Sequence, residues 1–257
     1  MVGSRWWGTE WQAILLAVGL LTRIPAPSFD RVSNQHLGRS LHWYPAVGLI
    51  IGLVVLGVGS IPLPSFFLAT LVVTAWVALT GALHLDGLAD CADAWVGGMG
   101  DKEKTLAILK DPASGPVAVT ALVLTLLLKV SAVSILIEQS ASVYLLLIPM
   151  LARMLMSLAF LFTPYVRAEG MGQSLARYHS RHAVFVAVAI TLMVSVLVLP
   201  LSLLVAWSLA LGAIFLTWRS AMIKRLNGFT GDGAGALVEL SETLLLLIAA
   251  ALAGGTL

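Results

Sequence analysis

The sequence predicts an all-α fold: a polytopic integral membrane helical bundle of about seven transmembrane helices, preceded by an N-terminal interfacial helix. Three observations predict it. The chain is 59% hydrophobic and 11% charged, with a mean hydropathy of +0.97, whereas soluble domains carry roughly 25% charged residues. Apolar runs of about 20 residues, the length that crosses a bilayer as a helix, recur along the chain. Nearly all lysine and arginine fall in one alternating set of polar segments, as the positive-inside rule requires of a multi-pass protein.

Taken in order, residues 1–43 are mixed. Trp6, Trp7 and Trp11 precede the apolar stretch Ala13–Leu21, which is short for a full span and is closed by Pro25 and Pro27. An interfacial or half-inserted helix with tryptophans at the headgroup level is the expectation. Arg5 is followed by no small-residue cleavage site, so no secretory signal peptide is expected. A polar segment with Asp30, Arg31, His36, Arg39 and His42 follows. Spans are then expected over about Tyr44–Pro62, Ser65–Leu83, Val117–Ile137 (with Lys129 inside) and Val143–Phe162 (with Arg153 inside). Residues 183–223 suffice for two spans hinged near Pro200, and Ala236–Leu252 makes the last. The whole of 1–257 reads as one integral membrane domain. The N-terminal region and the segments 84–114, 164–182 and 224–235 fall on one side and hold nearly all Lys and Arg, while the turns 62–64, 138–142 and 200–202 hold none. The charged side is expected to be cytoplasmic, in a cell inner membrane, and the chemistry with it.

The net charge of +2 points to no nucleic-acid partner. A single cysteine, Cys91, excludes an intrachain disulfide and a thiolate metal cluster, and reads as a small packing residue.

Charge is scarce, so its concentration is informative. Six of the thirteen acidic residues (Asp86, Asp90, Asp93, Asp101, Glu103 and Asp111) fall within 86–111. Asp86, Asp90 and Asp93 stand at i, i+4 and i+7, within an arc of about 60° on a helix. Capping accounts for an aspartate at a helix start, but three like charges on one face repel unless a cation neutralises them. Mg²⁺ takes carboxylate oxygens and sits between one or two carboxylates and substrate phosphates, so a metal-binding face is expected. His84 points away from these carboxylates on a regular helix; a structural or supporting role stands beside a direct one. Lys110-Asp111-Pro112 reads equally as a loop closing a helix or as a charged loop over the site. Arg153 lies within a span, where a charge usually faces the bundle interior or a cavity, and phosphate recognition is its natural use. The glycine-rich stretch Gly228-Phe-Thr-Gly-Asp-Gly-Ala-Gly, opening a helix, offers N–H groups to a phosphate through Thr230, Gly231 and Gly233. Asp232, Glu239 and Glu242 add carboxylates that could complete a second metal site.

With these residues in view, the chain resembles the adenosylcobinamide-GDP ribazoletransferase (cobalamin 5′-phosphate synthase) family over essentially its whole length. The resemblance rests on Leu21-Thr-Arg-Ile-Pro, Tyr44-Pro-Ala-Val-Gly-Leu-Ile-Ile-Gly, His84-Leu-Asp-Gly-Leu-Ala-Asp-Cys-Ala-Asp, Leu109-Lys-Asp-Pro, Pro164-Tyr-Val-Arg, and Thr230-Gly-Asp-Gly-Ala-Gly-Ala with Glu239 and Glu242. Two positions depart from the family pattern: Ala94 stands where a glycine is usual, and Ala113-Ser114 follow Asp-Pro where an arginine is common. The resemblance implies attack by the 3′-hydroxyl of α-ribazole 5′-phosphate, or of α-ribazole, on the phosphorus next to the cobinamide aminopropanol, with GMP leaving. Mg²⁺ is the implied cofactor. By a further similarity to CDP-alcohol phosphotransferases, Asp86 and Asp90 would be metal ligands, and Asp93 a ligand or the base for the hydroxyl. Arg167, in the Pro164-Tyr-Val-Arg motif, joins the expected substrate-binding residues. The implied partners are corrinoid nucleotide and ribazole substrates and the lipid bilayer, and a homo-oligomer stays open. A CDP-alcohol phosphotransferase or an aromatic prenyltransferase would need a different motif spacing. A transporter would place its polar groups near the bilayer midplane, usually with internal repeats, and none is found here.

Overall fold

The computed structural model describes residues 2–27 and 32–255, with side chains from Thr9 onward. Asp30, Arg31 and the side chains of Trp6 and Trp7, all named above, lie outside what is described. The chain forms helices α1 (Val2–Leu21), α2 (Asn34–Ser40), α3 (Tyr44–Gly59), α4 (Ser65–Thr80), α5 (Leu83–Gly97), α6 (Lys102–Ile108), α7 (Pro116–Glu138), α8 (Ile148–Phe162), α9 (Met171–Tyr178), α10 (Arg181–Val198), α11 (Leu201–Leu226) and α12 (Gly231–Gly254). Six helical segments are long and apolar enough to cross a membrane, and α4 with α5 makes a seventh if that bent pair counts as one span. The all-α, multi-pass expectation therefore holds.

Three features differ from the sequence reading. The first span begins upstream of Tyr44: α2, a short 3₁₀ turn and α3 run on as one segment, Asn34–Gly59. The segment 84–114 is mostly helical, in α5 and α6, because its small and apolar residues have other helices to pack on. Finally, the span expected from Ser65 does not run straight into the aspartates. The chain turns by 88° between α4 and α5. Gly81 and Ala82 make this corner with consecutive left-handed backbone angles, φ 62° and 58°. The Arg23 backbone N–H donates to the Leu79 carbonyl at 2.7 Å, and its side chain lies against Gly81 where a Cβ would clash. The segment after α1 thus packs on the corner that aims the aspartate helix.

Tight core packing centres on α8 and α12, which are largely buried, whereas α10 and α11 present apolar side chains outward, as lipid-facing helices do. Glu10 of α1 accepts from Arg39 (3.1 Å) and Trp43 (3.0 Å) and bonds His42 (3.1 Å), which ties the N-terminal helix to the first span. The polar segments predicted to share one side do meet at one end of the bundle. Ser174 of α9 bonds Asn34 of α2, Arg167 donates to the Leu109 carbonyl after α6, and Arg225 donates to the Trp95 carbonyl.

Candidate functional site

α5 and α12 cross closely because small residues line the crossing. A Cβ at Gly87 would sit 2.7 Å from the Asp232 carbonyl oxygen, and one at Gly235 would lie 3.3 Å from the His84 Cα. This crossing sets Asp86 and Asp90, one turn apart on α5, beside Asp232 in the first turn of α12. Asp90 feels the charges of Asp86, Asp232 and Asp93, with Arg167 offsetting them.

Arg167 is delivered by a separate loop. Residues 164–166 pair with 228–229 in an isolated parallel bridge: Phe229 N–H donates to Pro164 O (2.9 Å), and Val166 N–H donates to Phe229 O (3.0 Å). Phe229 is fully buried among Phe160, Tyr165 and Trp218, which anchors the bridge. Two residues on, Arg167 donates to Asp232 Oδ2 at 2.6 Å and to the Leu109 carbonyl at 3.0 Å. Burial pushes the Tyr165 phenol above its ordinary range, with the Arg167 charge opposing, so the phenol stays protonated and able to donate. A cavity of about 300 Å³ opens at this point, lined by Asp86, His84, Tyr165, Arg167, Glu169, Asp232 and mostly apolar neighbours. A second, of about 410 Å³, is lined by Lys110, Arg167, Glu169 and their neighbours. Arg167 and Glu169 belong to both.

Asp86, Asp90, Asp232 and Arg167 are thus gathered at one place, with Lys110 lining the cavity that shares Arg167; other expected residues are engaged elsewhere. Asp93 accepts from the Gly115 N–H (2.5 Å, Oδ2) and the Ala118 N–H (2.9 Å, Oδ1), which caps the start of α7 from outside that helix. The N–H groups of the glycine-rich turn are partly claimed: Thr230 Oγ1 accepts from Gly233 N at 3.2 Å, and the Gly231 backbone bonds the Tyr165 hydroxyl. Glu239 and Glu242 do not face the aspartates as the expected second metal wall. Both are buried and bound by cations: Lys129 Nζ reaches Glu239 at 2.5 Å and Glu242 at 2.7 Å, and Arg153 donates to Glu242. The same pairing takes Arg153 away from the phosphate role expected of it. Desolvation is the reason, since an unpaired charge at such depth is far more costly than one committed to its opposite. Lys129, given no role by the sequence reading, is the hub of this cluster and also lies 5.0 Å from the Trp76 ring. The signal that could have found it was a cation within one apolar span and two carboxylates, three residues apart, within another. His84 is buried beneath the cavity, and its Nε2 lacks a hydrogen-bond partner.

Among the described residues no three His, Cys, Asp or Glu side chains converge as a self-sufficient metal cage. That arrangement still fits Mg²⁺, which is typically held through one or two carboxylates plus substrate phosphates. The excess negative charge of Asp86, Asp90 and Asp232, only part-neutralised by Arg167, fits a hard cation in particular.

A membrane-embedded helical bundle with carboxylates and an arginine at the mouth of a cavity is suited to an enzyme acting on a phosphorylated substrate. The chain belongs to the cobalamin-5-phosphate synthase family, which residues 13–250 match. The adenosylcobinamide-GDP ribazoletransferase of Pseudomonas syringae pv. syringae (strain B728a) is 47% identical over 252 residues, covering 94% of this chain and 98% of that protein. The proteins of the same name from Ectopseudomonas mendocina (strain ymp) and Pseudomonas putida (strain GB-1) are 46% and 47% identical, over 90% and 91% of this chain and 96% of each of theirs. No solved structure matches the chain.

Proposed function

We propose that this chain joins adenosylcobinamide-GDP to α-ribazole 5′-phosphate, or to α-ribazole, releasing GMP in a Mg²⁺-dependent phosphoryl-group transfer late in cobalamin biosynthesis. The observation that carries the reading is the convergence of Asp86 and Asp90 from α5 with Asp232 from α12 beside Arg167. Family membership and the names of its relatives support the same reaction.

In this reading Asp86, Asp90 and Asp232 hold Mg²⁺, which when bound neutralises charge on the transferring phosphoryl group. Arg167 and the exposed Lys110 take phosphate oxygens, the arginine through a planar fork that can hold two of them. The attacking 3′-hydroxyl gives its proton to a carboxylate of the α5 face. Asp93 sets that face in place by fixing α5 to the start of α7. Tyr165 and the buried bridge hold Arg167 at the junction of the two cavities. The charged end of the bundle is assigned to the cytoplasm and the bilayer to the cell inner membrane; the gathering of nearly all Lys and Arg in the segments of that end supports it.

The test is an assay of the purified protein in lipid with adenosylcobinamide-GDP and α-ribazole 5′-phosphate. GMP is expected only when both substrates and Mg²⁺ are present, with the signal lost on chelation and restored by added Mg²⁺. GMP release without the ribazole acceptor, or undiminished release after chelation, would overturn the corresponding part of the reading.

A further inference from the structure

The cavity beside the aspartates is chemically divided. Its charged lining comes from Asp86, Arg167, Glu169 and Asp232; its apolar lining comes from Leu21 of α1, the Tyr44 ring of α3, Met156 and Phe160 of α8, and Leu175 of α9. Phe160 stacks against Tyr165 with ring centroids 5.8 Å apart, so the aromatic surface runs from the apolar lining towards Arg167. His84 forms part of the wall, 1% exposed, with Nε2 unpartnered. A buried ring nitrogen left without a partner is unfavourable, and it marks a place where a ligand atom would complete a hydrogen bond.

We propose that this cavity is the ribazole subsite: its apolar lining takes the benzimidazole base, His84 meets a polar atom of the nucleoside, and Arg167 receives the phosphate. The nucleotide-activated corrinoid then approaches from the second cavity, on the Lys110 side, and the two substrates meet at Arg167. The inference rests on the transferase reading above.

Size and polarity select this occupant. A volume of about 300 Å³ is at the small end for a drug-sized ligand and far below what a corrin macrocycle needs. A guanine base would bury several donors and acceptors against Met156, Phe160 and Leu175, which offer them no partners. A methyl-bearing benzimidazole presents hydrocarbon edges and few polar atoms, the composition that this wall accommodates.

The experiment is steady-state kinetics in lipid nanodiscs, varying each substrate in turn. Met156→Trp crowds the apolar lining and is expected to raise KM for α-ribazole 5′-phosphate roughly tenfold or more, the loss of about one well-buried group. KM for adenosylcobinamide-GDP is expected to stay at the wild-type value. The same ratio is expected with phosphate-free α-ribazole, because the obstruction meets the base. His84→Leu should raise KM for the ribazole substrate alone. If Met156→Trp does not fold, Met156→Ala replaces it, with an expected shift in preference towards bulkier bases. Wild-type turnover with an unchanged ribazole KM in the Met156 and His84 variants, or a rise confined to the corrinoid substrate, overturns the subsite. Wild-type protein that releases no GMP under any condition overturns the reaction instead, so the two failures are distinct.

Discussion

At Asp93 both carboxylate oxygens already accept backbone N–H groups, from Gly115 and Ala118. An aspartate used in this way gives the helix start two charge-assisted bonds and is a poor choice for the proton acceptor. Asp93→Asn keeps one acceptor oxygen and sets an NH₂ group against the second N–H. Its expected outcome is a loss of stability of about 1–2 kcal/mol, as for other caps, read from thermal unfolding in detergent. Turnover at saturating Mg²⁺ should fall less than tenfold, whereas Asp86→Asn and Asp90→Asn should each lower it by roughly a hundredfold or more. A collapse of turnover in Asp93→Asn with unaltered stability would return the base role to Asp93. The sequence could place these three aspartates on one helix face; it could not show that one of them is turned to a different helix.

At the scale of elements, the α5–α12 crossing decides whether the carboxylates meet. Gly87 is the closer contact, with 2.7 Å from its would-be Cβ to a backbone oxygen that has no soft side chain to yield. At Gly235 the corresponding distance is 3.3 Å, which a shift of a few tenths of an ångström relieves. Gly87→Ala is therefore expected to reduce GMP release strongly, and Gly235→Ala to reduce it less, in membranes containing equal amounts of folded protein. Equal activities would mean that the crossing tolerates separation. Both glycines stand in the sequence, but their partners across the crossing could not be read there, because Asp232 is distant in the chain from Gly87. The corner at Gly81-Ala82 was hidden for another reason: Ala82 adopts left-handed angles that its own side chain disfavours, and the surrounding packing imposes them.

At the scale of the whole molecule, a buried ionic clasp joins α7, α8 and α12 through Lys129, Arg153, Glu239 and Glu242. Breaking a buried pair leaves an uncompensated charge and costs about 3–5 kcal/mol. Glu242 serves both cations, whereas Glu239 serves Lys129 alone. Glu242→Gln is therefore expected to lower the unfolding temperature more than Glu239→Gln, because Arg153 then has no carboxylate. The reverse order, measured in the same detergent, would show that Glu239 is the main anchor. Such a clasp holds the helix that carries Asp232 in one register against its neighbours, and thereby steadies the site from below.

The sequence by itself determined the class of fold, the apolar segments and the side on which charge gathers, because bilayer crossing depends on run length and local composition. It also determined the family, through motifs that are local strings of residues. Only the tertiary structure decided which acids face the cavity and which are spent on lysine and arginine within the bundle. Carboxylates are alike in a sequence; what each one meets is set by helices far apart in the chain, and it separates Asp86, Asp90 and Asp232 from Asp93, held by the N–H groups that start α7, and from Glu239 and Glu242, held by buried cations.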